Sequence, residues 1–200
     1  MPLKELREIK GGAELGIWKL TERVSELESL MSEEVATEKY KGFNHDLRRL
    51  EWLGARALMS KMGLKKTLQY TEHGKPFYPS GPKISISHSK DFIAIITHPE
   101  NEVGIDVQEV VDKVRRIKHK FCNAHELDWA TSDEDFTIIW SAKEALFKVK
   151  ERNVLFKEDI QVSRPENGQL HITYKESQVY SGVLLNLKDY EGTYVVEGNS

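Results

Sequence analysis

The sequence predicts an α+β fold in which both halves of the chain combine helices with antiparallel strands. Three observations predict it. Apolar residues recur at helical spacing over 22–31, 45–62 and 135–150. Short alternating or wholly apolar runs gather at 84–107 and again at 160–196, separated by turn residues. Asn167-Gly168 divides two of the later runs, as a two-residue hairpin turn does.

In order along the chain, Gly16-Ile17-Trp18-Lys19-Leu20 is a short strand. Val24, Leu27, Leu30 and Met31 then form one helical stripe, and Leu47, Leu50, Leu53, Ala57 and Leu58 form a longer one that Gly63 stops. The Gly- and Pro-rich stretch 71–82 reads as irregular loop. Ile84-Ser85-Ile86-Ser87 alternates like a strand, and Phe92-Ile93-Ala94-Ile95-Ile96-Thr97 reads as a buried one. After the turn at 98–101 comes a strand carrying Asp106, so 84–107 is expected to be a strand meander. Helices are expected at 113–121 and 135–150. In the second, Ile138, Ala142, Ala145 and Val149 share one stripe, leaving Glu144 and Lys148 off it. The tail returns to strands at 160–163, 169–174, 180–185 and 192–196.

Composition narrows the function classes. The 200 residues suffice for one large domain or two small ones. A net charge of -3 argues against a nucleic-acid binder held by bulk positive charge. The single cysteine, Cys122, rules out an internal disulfide and a Cys-based zinc site, and fits a cytoplasmic protein. No apolar run is long enough to span a membrane, and the charged N-terminus lacks a signal-peptide core.

The chemistry concentrates in two segments, Val103-Gly104-Ile105-Asp106-Val107-Gln108 and Trp140-Ser141-Ala142-Lys143-Glu144-Ala145-Leu146-Phe147-Lys148. Asp106 and Gln108 are two apart and face the same side of a strand. Glu144 and Lys148 are four apart and share a helix face. Asp106, Glu144 and Gln108 thus offer oxygens to a hard cation such as Mg²⁺, beside lysines suited to phosphates. This pattern points to metal-assisted chemistry on a phosphate ester.

These two segments, preceded by Gly74-Lys75-Pro76 and Ile86-Ser87-His88-Ser89, resemble the 4′-phosphopantetheinyl transferase superfamily in its longer, single-chain form. The Trp-Ser-x-Lys-Glu-x-x-x-Lys run is the most specific motif. The resemblance implies two similar halves in a pseudo-twofold arrangement, 1–103 holding coenzyme A and 104–200 carrying the metal site and carrier docking. It implies transfer of the 4′-phosphopantetheine arm of coenzyme A to a serine of an apo-acyl or peptidyl carrier protein, with Mg²⁺ as cofactor and 3′,5′-ADP as product. Asp106, Gln108 and Glu144 would ligate the metal. Glu144, Lys148 and Asp106 would be catalytic. Lys75, Ser87, His88, Lys143, Lys148, Arg48 and Arg56 would hold coenzyme A, with His88 at its 3′-phosphate.

Two positions depart from the pattern. Gln108 stands where many relatives carry Glu, leaving two carboxylates instead of three, and Ser85 stands where relatives often have Asn. The basic segment 113–121, with Val114, Ile117 and Phe121 on one side, is expected to dock an acidic carrier helix. Two halves on one chain would build the site at their junction, so a monomer is expected. The competing readings are a metal-dependent coenzyme A or nucleotide phosphohydrolase, and a non-catalytic coenzyme A-binding module.

Overall fold

Two antiparallel sheets stacked face to face carry the fold, as seen in a computed structural model that describes residues 3–9, 11–64, 68–151 and 153–198. The first part of the chain forms β1 (Leu3–Ile9), β2 (Ala13–Lys19), α1 (Val24–Leu30), α2 (Ser32–Val35), α3 (Glu38–Lys41) and α4 (Asp46–Lys61). Then come β3 (Gln69–Tyr70), β4 (Pro76–Phe77), β5 (Lys83–Ser89), β6 (Phe92–His98) and β7 (Val103–Glu109). The remainder forms α5 (Asp112–Arg116), α6 (Ala124–Trp129), α7 (Asp133–Lys150) and α8 (Phe156–Asp159). It closes with β8 (Ile160–Val162), β9 (Gln169–Tyr174), β10 (Gln178–Leu187) and β11 (Tyr190–Val196).

One sheet has the order β1-β2-β6-β5 and the other β7-β11-β10-β9-β8. Leu15, Ile17, Ala94 and Ile96 of the first meet Ile105, Val107, Tyr194 and Val196 of the second in a shared core. On the outer face of the first sheet, Ala55, Leu58 and Met59 of α4 cover Trp18, Ile93 and Ile95. On the outer face of the second, Ile139, Ala142 and Leu146 of α7 cover Leu170, Ile172 and Val195. β6 is therefore apolar on both faces and buried along its whole length, as the uninterrupted run at Phe92-Ile93-Ala94-Ile95-Ile96 requires. Among the described residues no helix is long and apolar enough to cross a membrane.

The expected meander over 84–107 is broken. β5 and β6 pair, but β7 pairs with β11 in the other sheet, Asp106 opposite Thr193. β6 already holds β2 on its other edge, so no edge is left there for β7. The Ser85 and Ser87 hydroxyls accept the amides of Ile105 and Val107, each at 3.1 Å, so β5 meets β7 through side chains in place of a backbone ladder. The loop at 71–82 is also less irregular than its composition suggests. Tyr70 pairs with Pro76, and Thr71 and Lys75 close the hairpin between β3 and β4 around Gly74, whose φ is 83°. The helix expected at 113–121 is the short α5 followed by a single 3₁₀ turn at Lys118–Lys120. β1, α2, α3, α6 and α8 carry no strong periodic signal and emerge only in the folded chain.

Candidate active site

Strand alternation aims Asp106 away from the inter-sheet core that Ile105 and Val107 enter, and toward α7. Its carboxylate is 3% exposed and fully partnered. Oδ1 accepts from the Ser87 hydroxyl at 3.0 Å and from Lys148 Nζ at 2.9 Å, and Oδ2 accepts from the Gln108 amide at 2.9 Å. Lys148 also donates to the Ile105 carbonyl at 2.7 Å. A buried carboxylate held by a cation and two neutral donors satisfies the condition for burying charge.

α7 reaches this strand because Gly104 lets it. A Cβ at Gly104 would collide with the Ala145 carbonyl, so the helix backbone rests on the strand backbone there. One helical turn away, Ser141 and Thr193 share a hydroxyl hydrogen bond of 3.0 Å that fixes the helix over β11. Ser132 caps the helix by accepting the Asp135 amide, and the Asp135 carboxylate answers on Ser132 N.

Glu144 lies half-buried on the same face as Lys148. Burial raises its pKa, the Asp106 carboxylate raises it further, and Lys148 offsets part of both. Among the described residues its carboxylate forms no hydrogen bond. Two carboxylates and an amide oxygen form an all-oxygen donor set suited to Mg²⁺. The repulsion between Glu144 and Asp106 that Lys148 only partly offsets is what a divalent cation there would relieve. Among the described residues no cluster of three His, Cys, Asp or Glu side chains is placed for a metal, and the polar side chain beside Asp106 on the strand is Gln108. Its NH₂ now faces Asp106, and a half-turn of the amide would present the oxygen.

Lys143 is a correction. Expected at a phosphate, it is 0% exposed and points into the core beneath α7. Its Nζ lies 2.8 Å from Glu126 Oε2 and 2.7–2.8 Å from the carbonyls of Phe121, Phe156 and Ile160. Glu126 also accepts the amides of Asn123 and Val162. Desolvation pushes both members of this pair toward their neutral forms, raising Glu126 and lowering Lys143. In Lys143-Glu144, one residue therefore holds the fold and its neighbour shares the helix face of Lys148.

Of the residues expected to grip coenzyme A, Lys75, Lys148, Arg48, Arg56 and His88 line adjoining cavities, whereas Ser87 is buried against Asp106 and lines neither. One of about 250 Å³ is bounded by Lys75, Ser85, Phe147, Lys148 and Glu151. A second, of about 330 Å³, is bounded by Lys39, Arg48, Trp52, Arg56, Tyr70 and His88. Gly74, Pro76 and Ile86 line both, so the two lie side by side. Arg48 donates to Glu51 at 2.9 Å, and His88 Nδ1 lies 3.3 Å from the same carboxylate. Arg56 stacks 3.2 Å from the Trp52 ring and donates to the Tyr70 hydroxyl. Lys75 is tied up: its Nζ donates to Glu102 at 2.9 Å and to Glu151 at 2.6 Å. Burial opposes its charge, but the bonds to Glu151 and Glu102 hold its pKa above the ordinary lysine value.

Several residues of this cleft escaped the sequence reading. Trp52 sits four residues from both Arg48 and Arg56, so helical spacing alone would have shown it between them. Lys39, 3.9 Å from the Tyr70 ring centre, comes from another helix and left no local signal, and the same holds for Glu102 and Glu151. The docking segment also changes. Phe121 is 1% exposed and Val114 and Ile117 pack on the second core, so the exposed face there is Lys113, Arg115, Arg116 and Lys120 beside Val111.

Comparison with known proteins bears on this geometry. The family model described as the 4′-phosphopantetheinyl transferase superfamily matches residues 102–196, the stretch that holds Asp106, Glu144 and Lys148. Similar curated proteins are named 4′-phosphopantetheinyl transferase AcpT. That from Escherichia coli strain K12 is 35% identical over 114 residues, covering 50% of this chain and 57% of the relative. That from Salmonella typhi is 30% identical over 113 residues, covering 51% of this chain and 59% of the relative. The chain thus spans less than two thirds of the length of the curated relatives it matches. Over the segment 102–196, this chain is thus similar to the 4′-phosphopantetheinyl transferase superfamily.

Proposed function

We propose that the chain moves the 4′-phosphopantetheine arm of coenzyme A onto a serine of an apo-acyl or peptidyl carrier protein. The observation that carries this reading is the Asp106–Lys148 ion pair with Glu144 on the same helix face, its lysine lining a cavity that adjoins one holding Lys39, Arg48, Arg56 and His88. An anionic metal site and a cationic phosphate wall side by side suit phosphoryl transfer, in which positioning and charge stabilisation do most of the catalysis. The serine oxygen forms a bond to the β-phosphorus, the bond to the bridging oxygen breaks, and 3′,5′-ADP leaves with the electron pair. Bound by Asp106, Glu144 and Gln108, Mg²⁺ would supply neutralisation of the pyrophosphate charge.

The chain's own residues divide the remaining work. Lys148, oriented by Asp106 and the Ile105 carbonyl, offers its ammonium to the charge that builds on the leaving phosphate. Glu144 takes the serine proton, its carboxylate being without a hydrogen-bond donor among the described residues. Ser87 positions Asp106. Arg48, Arg56 and His88 bind the nucleotide end, with His88 at the 3′-phosphate, and Lys75 reaches a phosphate in the cavity it lines with Lys148. The exposed basic face of α5 draws in an acidic carrier helix. We further read 1–103 and 104–200 as two related halves in a pseudo-twofold arrangement, forming the cleft between them in a cytoplasmic monomer.

Intact-mass measurement of several apo-carrier proteins incubated with the chain, coenzyme A and Mg²⁺ tests this. A mass gain of one phosphopantetheine arm on the carrier, with equimolar 3′,5′-ADP, is expected. Release of 4′-phosphopantetheine without a carrier would identify a phosphohydrolase. Coenzyme A binding with neither product would identify a non-catalytic binding module.

A further inference from the structure

Glu151 is in the wrong place for helix stability and in the right place for Lys75. It ends α7 with φ 68° and ψ -43°, a region that side chains with a Cβ rarely adopt. It also puts a negative charge at a helix C-terminus, where the helix dipole opposes it. Local preference would set Gly or a cation at this position. The side chain nevertheless crosses the cleft to meet Lys75 at 2.6 Å, joining the end of α7 to the β3–β4 hairpin.

The two carboxylates on Lys75 are not equivalent. Glu102 also holds Lys83 at 2.6 Å and keeps a cation if Lys75 leaves. Glu151 is 42% exposed and, among the described residues, has Lys75 as its sole charged partner. Glu151 can therefore swing into water at little cost, whereas Glu102 stays. Lys75 and Glu151 both line the cavity that contains Lys148, and both also line a neighbouring cavity of about 490 Å³ under the Pro79-Ser80-Gly81-Pro82 turn. The ion pair stands at the boundary between these spaces.

We propose that Glu151 is a displaceable counterion. It holds Lys75 in the unloaded cleft and is expelled when a phosphate of the ligand takes the ammonium, so it sets how tightly the ligand binds. The inference rests on the reading that Lys75 faces a phosphate of coenzyme A. The ligand exchanges one carboxylate for one phosphate on the same lysine, and its affinity is lowered by whatever the pair contributes to the free protein. Until then, Lys75 is neutralised and kept aimed at the cleft.

Calorimetric titration of coenzyme A into the whole chain tests the proposal, with wild type, Glu151→Gln, Glu151→Gly and Lys75→Met. Glycine removes the carboxylate and suits the positive φ, so this variant keeps the helix end intact. Both Glu151 variants should bind coenzyme A more tightly, by roughly threefold, as expected for removal of a partly exposed competing ion pair. Lys75→Met should bind more weakly than wild type. A merely structural Glu151 would give unchanged or weaker binding in both variants. With Lys75→Met still impaired, that result overturns the counterion while leaving the coenzyme A reading in place. Wild type that fails to bind coenzyme A at all refutes the coenzyme A reading, and the counterion falls with it.

Discussion

Lys143 and Glu126 meet at 2.8 Å with neither side chain exposed to water, and three backbone carbonyls complete the shell of the ammonium. These carbonyls belong to Phe121, Phe156 and Ile160, so one lysine ties α7 to the ends of three other segments. The pair explains why a lysine stands beside Glu144 on a helix whose opposite face is core. Breaking it leaves a charge buried alone. Lys143→Met should cost about 3–5 kcal/mol, the range for a fully buried pair that loses one partner. Urea denaturation reads this directly. A loss below about 1 kcal/mol would show that the pair is solvated in the working protein.

Gly104→Ala tests how α7 is placed. The added methyl would overlap the Ala145 carbonyl, which is backbone and cannot turn aside. Either the helix shifts off β7 or the strand does, at a cost of about 1–3 kcal/mol or more. The shift also separates Glu144 and Lys148 from Asp106, so transfer activity should fall further than stability. Thermal unfolding and the carrier mass assay, run on one preparation, separate the two effects.

Beside Asp106, Glu144→Gln should nearly abolish transfer while the melting temperature stays the same or rises, because it removes a carboxylate that burial and Asp106 both disfavour. Gln108→Glu acts in the other direction. It exchanges a donor to Asp106 for a second anion, so without Mg²⁺ the variant should be less stable than wild type, and added Mg²⁺ should restore it. The Mg²⁺ concentration for half-maximal rate should fall, with little change in the rate at saturation. Gln108→Ala should raise that concentration. Unchanged Mg²⁺ dependence in both variants would place Gln108 outside the coordination sphere.

Glu191 gives a pH signature on the strand beside Gln108. It sits half-buried in β11 opposite Gln108, and burial, with a smaller push from the Glu134 carboxylate, raises its pKa to about 7. The folded state therefore holds a proton that the unfolded chain gives up near pH 4.5. Stability from this group is complete below pH 4.5 and is lost as pH rises through about 7. Glu191→Gln should flatten that slope and gain roughly 2 kcal/mol at pH 8 relative to pH 4.5, after discounting for partial exposure. Parallel stability–pH curves for the two proteins would refute it.

The sequence by itself determined the elements whose chemistry is local. The stripe Ile138, Ala142, Ala145 and Val149 marks α7 and leaves Glu144 and Lys148 on another face, as the helical period demands. Period two puts Asp106 and Gln108 on one side of β7, and Asn167-Gly168 marks the turn that lets β8 and β9 pair. Tertiary structure decided what depends on distant partners. An alternating segment carries the same pattern whichever sheet takes it, so β7 pairs with β11 because β2 already occupies the remaining edge of β6, and the Ser85 and Ser87 hydroxyls meet its other edge. Lys143 and Lys148 are alike in sequence. They differ because one projects under the helix toward Glu126 and the other over the strand toward Asp106. Lys75 looked like a free phosphate ligand until Glu151, 76 positions away, was seen to hold it. Burial and ion pairing are properties of surroundings, and the chain assembles those surroundings only when its two sheets meet.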